Sequence, residues 1–192
     1  MQFIHTLFSH PALRKAFLLV RVPLILAALA VFAWYARTDW LVYAVVLSFV
    51  GEMIQVWCFA SLVKNEELTI RGPYIMVRNP MYLGRYFLVL GFVMLLANIW
   101  AIVVYTVLYY FYMVNRVRRE ESRLKKLLGE PYADYRADTW RFLPKLNRLF
   151  RKEVLYWNWQ VMASNNGHWN FLAALAAWAV VMAAFYLRPM FQ

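Results

Sequence analysis

Apolar residues run through this chain in long stretches separated by short polar breaks. A helix needs about 20 predominantly apolar residues to cross the hydrocarbon of a bilayer, and five stretches approach that length: 16–36, 40–63, 81–97, 99–115 and 169–187. The third and fourth are short and meet at Ala97, Asn98, Ile99 and Trp100, which predicts a tight helical hairpin. Residues 116–128 continue the fourth stretch as a charged helix, stopped by Gly129 with Pro131 just beyond. Residues 145–162 place Leu146, Leu149, Phe150, Val154, Trp157 and Val161 on one helical face, with Arg148, Arg151 and Lys152 elsewhere. That pattern predicts an amphipathic helix lying in the membrane interface or packed against the bundle. The first stretch holds Arg21 and Pro23 near its start, where a long side chain snorkels outward. It is not expected to be a cleaved signal, because no small-residue site clearly closes a short apolar core. The expected fold is an all-α integral membrane protein: one domain over 1–192 with about five transmembrane helices, a cytoplasmic segment and an interfacial helix at 145–162, the last crossing being 169–187.

Composition agrees with that picture. Soluble chains run to about 45–50% apolar and about 25% charged residues; here the values are 64% and 16%. Nine Trp, thirteen Tyr and fourteen Phe suit two interfacial belts. A single cysteine, Cys58, leaves no internal disulfide, and three scattered histidines have no metal-ligand spacing, so no metal is expected. A net charge of +11 raises nucleic acid as a partner, but its distribution argues for membrane lipids instead. Alternating the five stretches through a bilayer gathers every Lys and Arg except Arg37 and Arg188 on one side. The positive-inside rule makes that side cytoplasmic, with the N-terminus there and the C-terminus outside. In a bacterium this is the inner membrane.

The polar chemistry concentrates in "RGPYIMVRNPMYLGRYF", residues 71–87. Proline-broken backbone at membrane depth survives only where protein covers it or where it lines a cavity. Gly72 and Pro73 suit a turn, and Pro80 suits the first turn of the third stretch. A well-capped helix start with snorkelling arginines explains these residues as well. The hairpin, however, should return Glu120 and Glu121 close to Asn79, Tyr82 and Gly84. The alternative for the two glutamates is pairing along their own helix, Glu121 with Lys125 and Glu120 with Arg116.

The order "GPY…VRNPMYLG", then "EE", then "LGEPYADY…WRFLP" resembles the membrane methyltransferases that include isoprenylcysteine carboxyl methyltransferase and phosphatidylethanolamine N-methyltransferase. Their signature of Arg-His-Pro-x-Tyr-x-Gly followed by Glu-Glu reads here Arg78, Asn79, Pro80, Met81, Tyr82, Leu83, Gly84 and then Glu120, Glu121. The resemblance covers about residues 70–146, the core motif region. It implies S-adenosylmethionine as methyl donor, bound by Tyr74, Arg78, Asn79, Tyr82, Gly84, Arg85, Glu120 and Glu121, with Asn79, Tyr82 and Arg141 as catalytic candidates. It also implies that Tyr132, Tyr135 and Arg141 meet a hydrophobic or lipidated acceptor carrying a carboxylate, amine or thiol. A sulfonium suits an aromatic ring such as that of Tyr82, an ammonium suits Glu120 or Glu121, and a carboxylate suits Arg78 or Arg85. Asn79 stands where the family has histidine and carries no titrating proton. Two alternatives stay open: a sterol-reductase-like membrane reductase using a nicotinamide dinucleotide, and a non-catalytic protein that keeps the fold.

Overall fold

The computed structural model describes residues 34–63 and 67–187, together with Pro23, Ala27 and Phe32. Most of the first expected span, 16–36, and the N-terminal segment before it therefore lie outside the described residues. Residues 37–174 form one compact unit, which holds everything that follows. The C-terminal half of the last helix belongs to a second unit.

Among the described residues all regular structure is helical: α1 Leu41–Ser61, α2 Pro80–Met94, α3 Ile99–Leu128, α4 Glu130–Asp138, α5 Trp159–Ser164 and α6 Gly167–Leu187. Of these, α1 and α6 are both long and apolar enough to cross a membrane. Helix α2 is apolar but only 15 residues long, which at 1.5 Å per residue spans about 22 Å. Helix α3 joins the expected fourth span and its charged extension into one 30-residue helix.

The hairpin forms as its sequence predicts. Asn98 caps α3 by accepting from the amides of Trp100 (2.9 Å) and Ala101 (3.4 Å). At the far end Gly129 takes φ 62°, a conformation that costs other residues a Cβ clash. It ends α3 and starts α4 at once, with Pro131 in the first turn of α4.

Helices α1 and α2 are in backbone contact. A Cβ added to Gly84 would lie 2.7 Å from the Gly51 carbonyl oxygen, and one added to Gly51 would lie 2.5 Å from the carbonyl oxygen of Gly84. Such small-residue seams bring membrane helices together without a hydrophobic driving force. Higher on the same seam Gly91 faces Ala44 and Ser48, and the Ser48 hydroxyl donates to Leu88 O at 2.8 Å. Polar residues tie α1 to the start of α6. Glu52, almost fully buried in the middle of α1, accepts from Asn170 Nδ2 (2.9 Å) and Gln55 Nε2 (3.2 Å). Asn165 Nδ2 donates to the last carbonyls of α1, those of Phe59 (3.0 Å) and Leu62 (2.6 Å).

The continuous amphipathic helix expected at 145–162 is replaced by short turns at Leu146–Arg148 and Lys152–Leu155 and by the short α5. The physical reason is Arg148. A helix here would leave it on the polar face, yet its guanidinium is buried and donates to Ile75 O (3.0 Å), Thr139 Oγ1 (3.1 Å) and Asp138 Oδ1 (2.6 Å). The amide of Lys145 also leaves the helical register to donate to Met76 O at 2.9 Å. Val154 then packs on Ile75 and Met76 beside Trp57. Tertiary partners outbid helical periodicity over these residues.

Candidate functional site

Proline fixes the local shape of the loop before α2. Pro73 lies in a single 3₁₀ turn, Gly72–Ile75, and Pro80 opens α2 without needing an amide partner. The loop's backbone groups then find partners far along the chain. Arg78 N donates to Trp140 O (2.9 Å), and Lys145 N donates to Met76 O (2.9 Å). Asn79 Nδ2 donates to Arg141 O (3.2 Å), and the Tyr135 hydroxyl donates to Tyr74 O (2.7 Å). Residues 139–148 thus lie as a strap across the loop and cover part of its irregular backbone.

A cavity of about 470 Å³ opens between these pieces. Its floor comes from the end of α1, at Phe59, Leu62 and Val63. The loop contributes Tyr74, Arg78 and Asn79, and α2 contributes Met81, Tyr82 and Arg85. Helix α3 faces them with Arg116, Glu120 and Leu124, and α4 closes the wall with Tyr132 and Tyr135.

Of the residues singled out in the sequence, Tyr74, Arg78, Asn79, Tyr82, Arg85, Glu120, Tyr132 and Tyr135 therefore share one cavity. Gly84, Glu121 and Arg141 are not on its wall. Gly84 is turned the other way, into the seam with α1. The two adjacent glutamates part company because they sit about 100° apart around α3. Glu120 faces the cavity and accepts from the Tyr82 hydroxyl at 2.8 Å. Glu121 is buried, and its carboxylate meets Arg78 at 3.1 Å and Arg141 at 2.5 Å. Neither ion pair runs along the helix to Lys125. Arg78 also donates to Arg136 O at 2.7 Å, while its buried Nε has no hydrogen-bond partner.

Burial governs the cavity tyrosines. It pushes the Tyr132 hydroxyl up to about 12, with the Glu121 charge adding to the shift and Arg78 opposing it. Burial also raises Tyr74 and Tyr135 well above the usual phenol range, with Cys58 adding at Tyr74 and Tyr132 adding at Tyr135. These hydroxyls stay protonated near neutral pH and act as donors. Beneath the strap, the Arg148 guanidinium holds the Asp138 carboxyl below its ordinary range.

The sequence reading missed the contribution of α1 and of Glu67, Leu68 and Thr69 to this cavity. Gly51 and Gly84 carried the available signal, since a paired small-residue seam places the end of α1 beside the start of α2.

Residues 40–131 match the family model described as phospholipid methyltransferase. Neither a characterised protein nor a solved structure gives a significant match to the chain. The two apolar helices of crossing length and this family together give a membrane-associated molecule. The matched stretch, 40–131, supplies the whole cavity wall apart from the tyrosines of α4, so the cavity is built almost entirely from the part of the chain that is similar to phospholipid methyltransferases.

Proposed function

We propose that the cavity binds S-adenosylmethionine and that the chain passes its methyl group to a lipid-like or membrane-soluble acceptor carrying an amine, carboxylate or thiol. The observation that carries this reading is the charge pattern on one wall. Glu120 is a cavity carboxylate that accepts from the Tyr82 hydroxyl, and Arg78 holds a buried Nε–H with no hydrogen-bond partner. These are the complements of an ammonium and a carboxylate, and the volume suits a ligand of nucleoside size. Tyr82 offers a ring to a sulfonium, and Arg85 is a second cation on the same wall.

Bound there, the cofactor supplies a methyl group activated for in-line displacement, a reaction in which positioning provides much of the acceleration. The chain's own part is to fix geometry and exclude water. Tyr132 and Tyr135 offer neutral hydroxyls. Asn79, anchored by its amide to the strap, holds Arg141 O and carries no proton to titrate. Arg141, tied to Glu121, acts by positioning the strap rather than by touching the reacting atoms. With no titrating group at position 79, the acceptor arrives already nucleophilic, as a free amine or an anion. The family match does not favour the reductase alternative.

Titration of purified protein with S-adenosylhomocysteine should saturate, while a reduced nicotinamide dinucleotide should not bind. The reverse result removes the methyltransferase reading. Mass spectrometry of lipid extracts exposed to the protein and the cofactor should then reveal the acceptor as a methyl-sized gain. The distribution of basic residues supports a cavity on the cytoplasmic side; a reporter fused after Gln192 that proves cytoplasmic would overturn that reading.

A further inference from the structure

Irregular backbone that faces water normally carries polar side chains, and residues 140–159 do the opposite. Trp140, Leu143, Leu146 and Trp159 are each more than half exposed, Phe150 is 93% exposed and Leu155 is 83% exposed. Lone exposed apolar residues are ordinary, but six large ones within twenty residues form a patch that asks for a partner. Two exposed cations, Arg151 and Lys152, stand between the two most exposed apolar side chains, with Glu153 as the one acid beside them. Part of the backbone is already paired where the patch is densest. Arg151 N donates to Arg148 O, Val154 N to Arg151 O and Tyr156 N to Glu153 O. Those turn hydrogen bonds lower the cost of bringing the segment into the headgroup region. It also runs directly into α5 and then α6, a helix long and apolar enough to cross a membrane.

We infer that residues 140–159 dock on the surface of an anionic bilayer, with Phe150 and Leu155 inserted at the acyl boundary and Arg151 and Lys152 on the headgroups. Apolar insertion together with basic residues is the chemistry of an interfacial anchor, here built from turns instead of a helix. The same segment holds the cavity loop through Lys145 and Arg148, so docking sets that loop at the depth of the headgroups. This inference stands independently of the reaction proposed above.

The test uses the full chain reconstituted in vesicles, with an environment-sensitive fluorophore on Phe150→Cys or, separately, on Leu155→Cys. Native Cys58 is fully buried and stays unlabelled. A label on Lys126→Cys, on the exposed part of α3, is the water-facing control. Lipid-borne spin labels should quench the fluorophore at 150 or 155 about twofold or more as strongly as the one at 126, and both positions should be shielded from acrylamide. Acrylamide access equal to that at 126 overturns the inference. Shielding from both quenchers also overturns it, and points to a protein partner or a second copy. Adding phosphatidylglycerol to phosphatidylcholine vesicles should raise lipid quenching at 150, and Arg151→Glu with Lys152→Glu should remove that rise. No rise in the parent protein overturns the anionic half of the inference.

Discussion

Among the described residues, helix α2 packs chiefly on α1 and α3 and meets them by opposite means. Against α1 the backbones touch at Gly51 and Gly84, with no side chain between them. Against α3 the contact is made by long polar aromatics. The Tyr109 hydroxyl donates to Tyr82 O at 2.6 Å and that of Tyr105 to Tyr86 O at 3.1 Å. Tyr86 and Thr106 hydroxyls meet at 3.0 Å, and the Tyr86 and Tyr105 rings stack 5.6 Å apart. A backbone seam has one geometry, whereas a set of hydroxyls and rings holds while tolerating small shifts. The cavity lies on the tolerant side, with α1 and α2 as the fixed floor and the α3 wall as the part able to adjust to a ligand.

The most damaging way to break this contrast is Gly84→Leu. Its side chain would meet the backbone of α1, which cannot rotate away, so the expected loss is more than about 3 kcal/mol. In a thermal melt of purified protein, little or no folded fraction should remain. A mild effect would mean that the first seam is as adjustable as the second.

Glu121→Ala comes next. It strands the buried Arg78 and releases Arg141, and breaking a buried pair in this way costs about 3–5 kcal/mol, toward the lower end here because Arg141 is partly exposed. The melting temperature should fall clearly, while Lys125→Ala leaves it nearly unchanged because Glu121 does not use that lysine.

Glu120→Ala sharpens the contrast from the cavity side. It should leave stability almost intact but weaken S-adenosylhomocysteine binding by about thirtyfold, the equivalent of about 2 kcal/mol. Calorimetry on the two glutamate variants separates the roles of neighbours in sequence. Equal binding by Glu120→Ala and the parent would remove Glu120 from the site.

Tyr109→Phe is the smallest change, since it deletes one hydroxyl and keeps the ring. A loss of about 1 kcal/mol or less is expected, with cofactor affinity within a few-fold of the parent. A loss comparable to that of Gly84→Leu would show the second seam to be as rigid as the first.

These two seams also show what could be read from sequence. The loop at 71–80, the hairpin and the stop at Gly129 were legible because proline, glycine and asparagine act locally on the backbone. The return of Glu120 to Tyr82 followed from hairpin topology alone. The direction of Glu121 did not, because it depends on Arg78 and Arg141, which the chain brings together only through the strap. Arg148 makes the same point more sharply: a periodic apolar face called for a helix, and one buried guanidinium with partners at Ile75 and Thr139 removed it. Gly84 was expected at the cofactor and lies against α1 instead, since a missing side chain does not say what approaches it. Glu52 passed unremarked inside an apolar stretch, its partner Asn170 lying 118 residues away.

The strap has a consequence for the timing of assembly. Ile75 O waits for Arg148, 73 residues further along. During synthesis the loop at 72–79 leaves the ribosome with these carbonyls and the Arg78 amide still solvated, and α2 and α3 can pair before any of them is satisfied. Closing so long a loop is an entropic cost met only when the strap arrives. Until then the nascent chain has helices but no finished pocket, so ligand binding should appear as a late and abrupt event in biogenesis. A chain released before residue 148 would remain a helical hairpin with an unsealed mouth, recognisable to quality control by its exposed backbone.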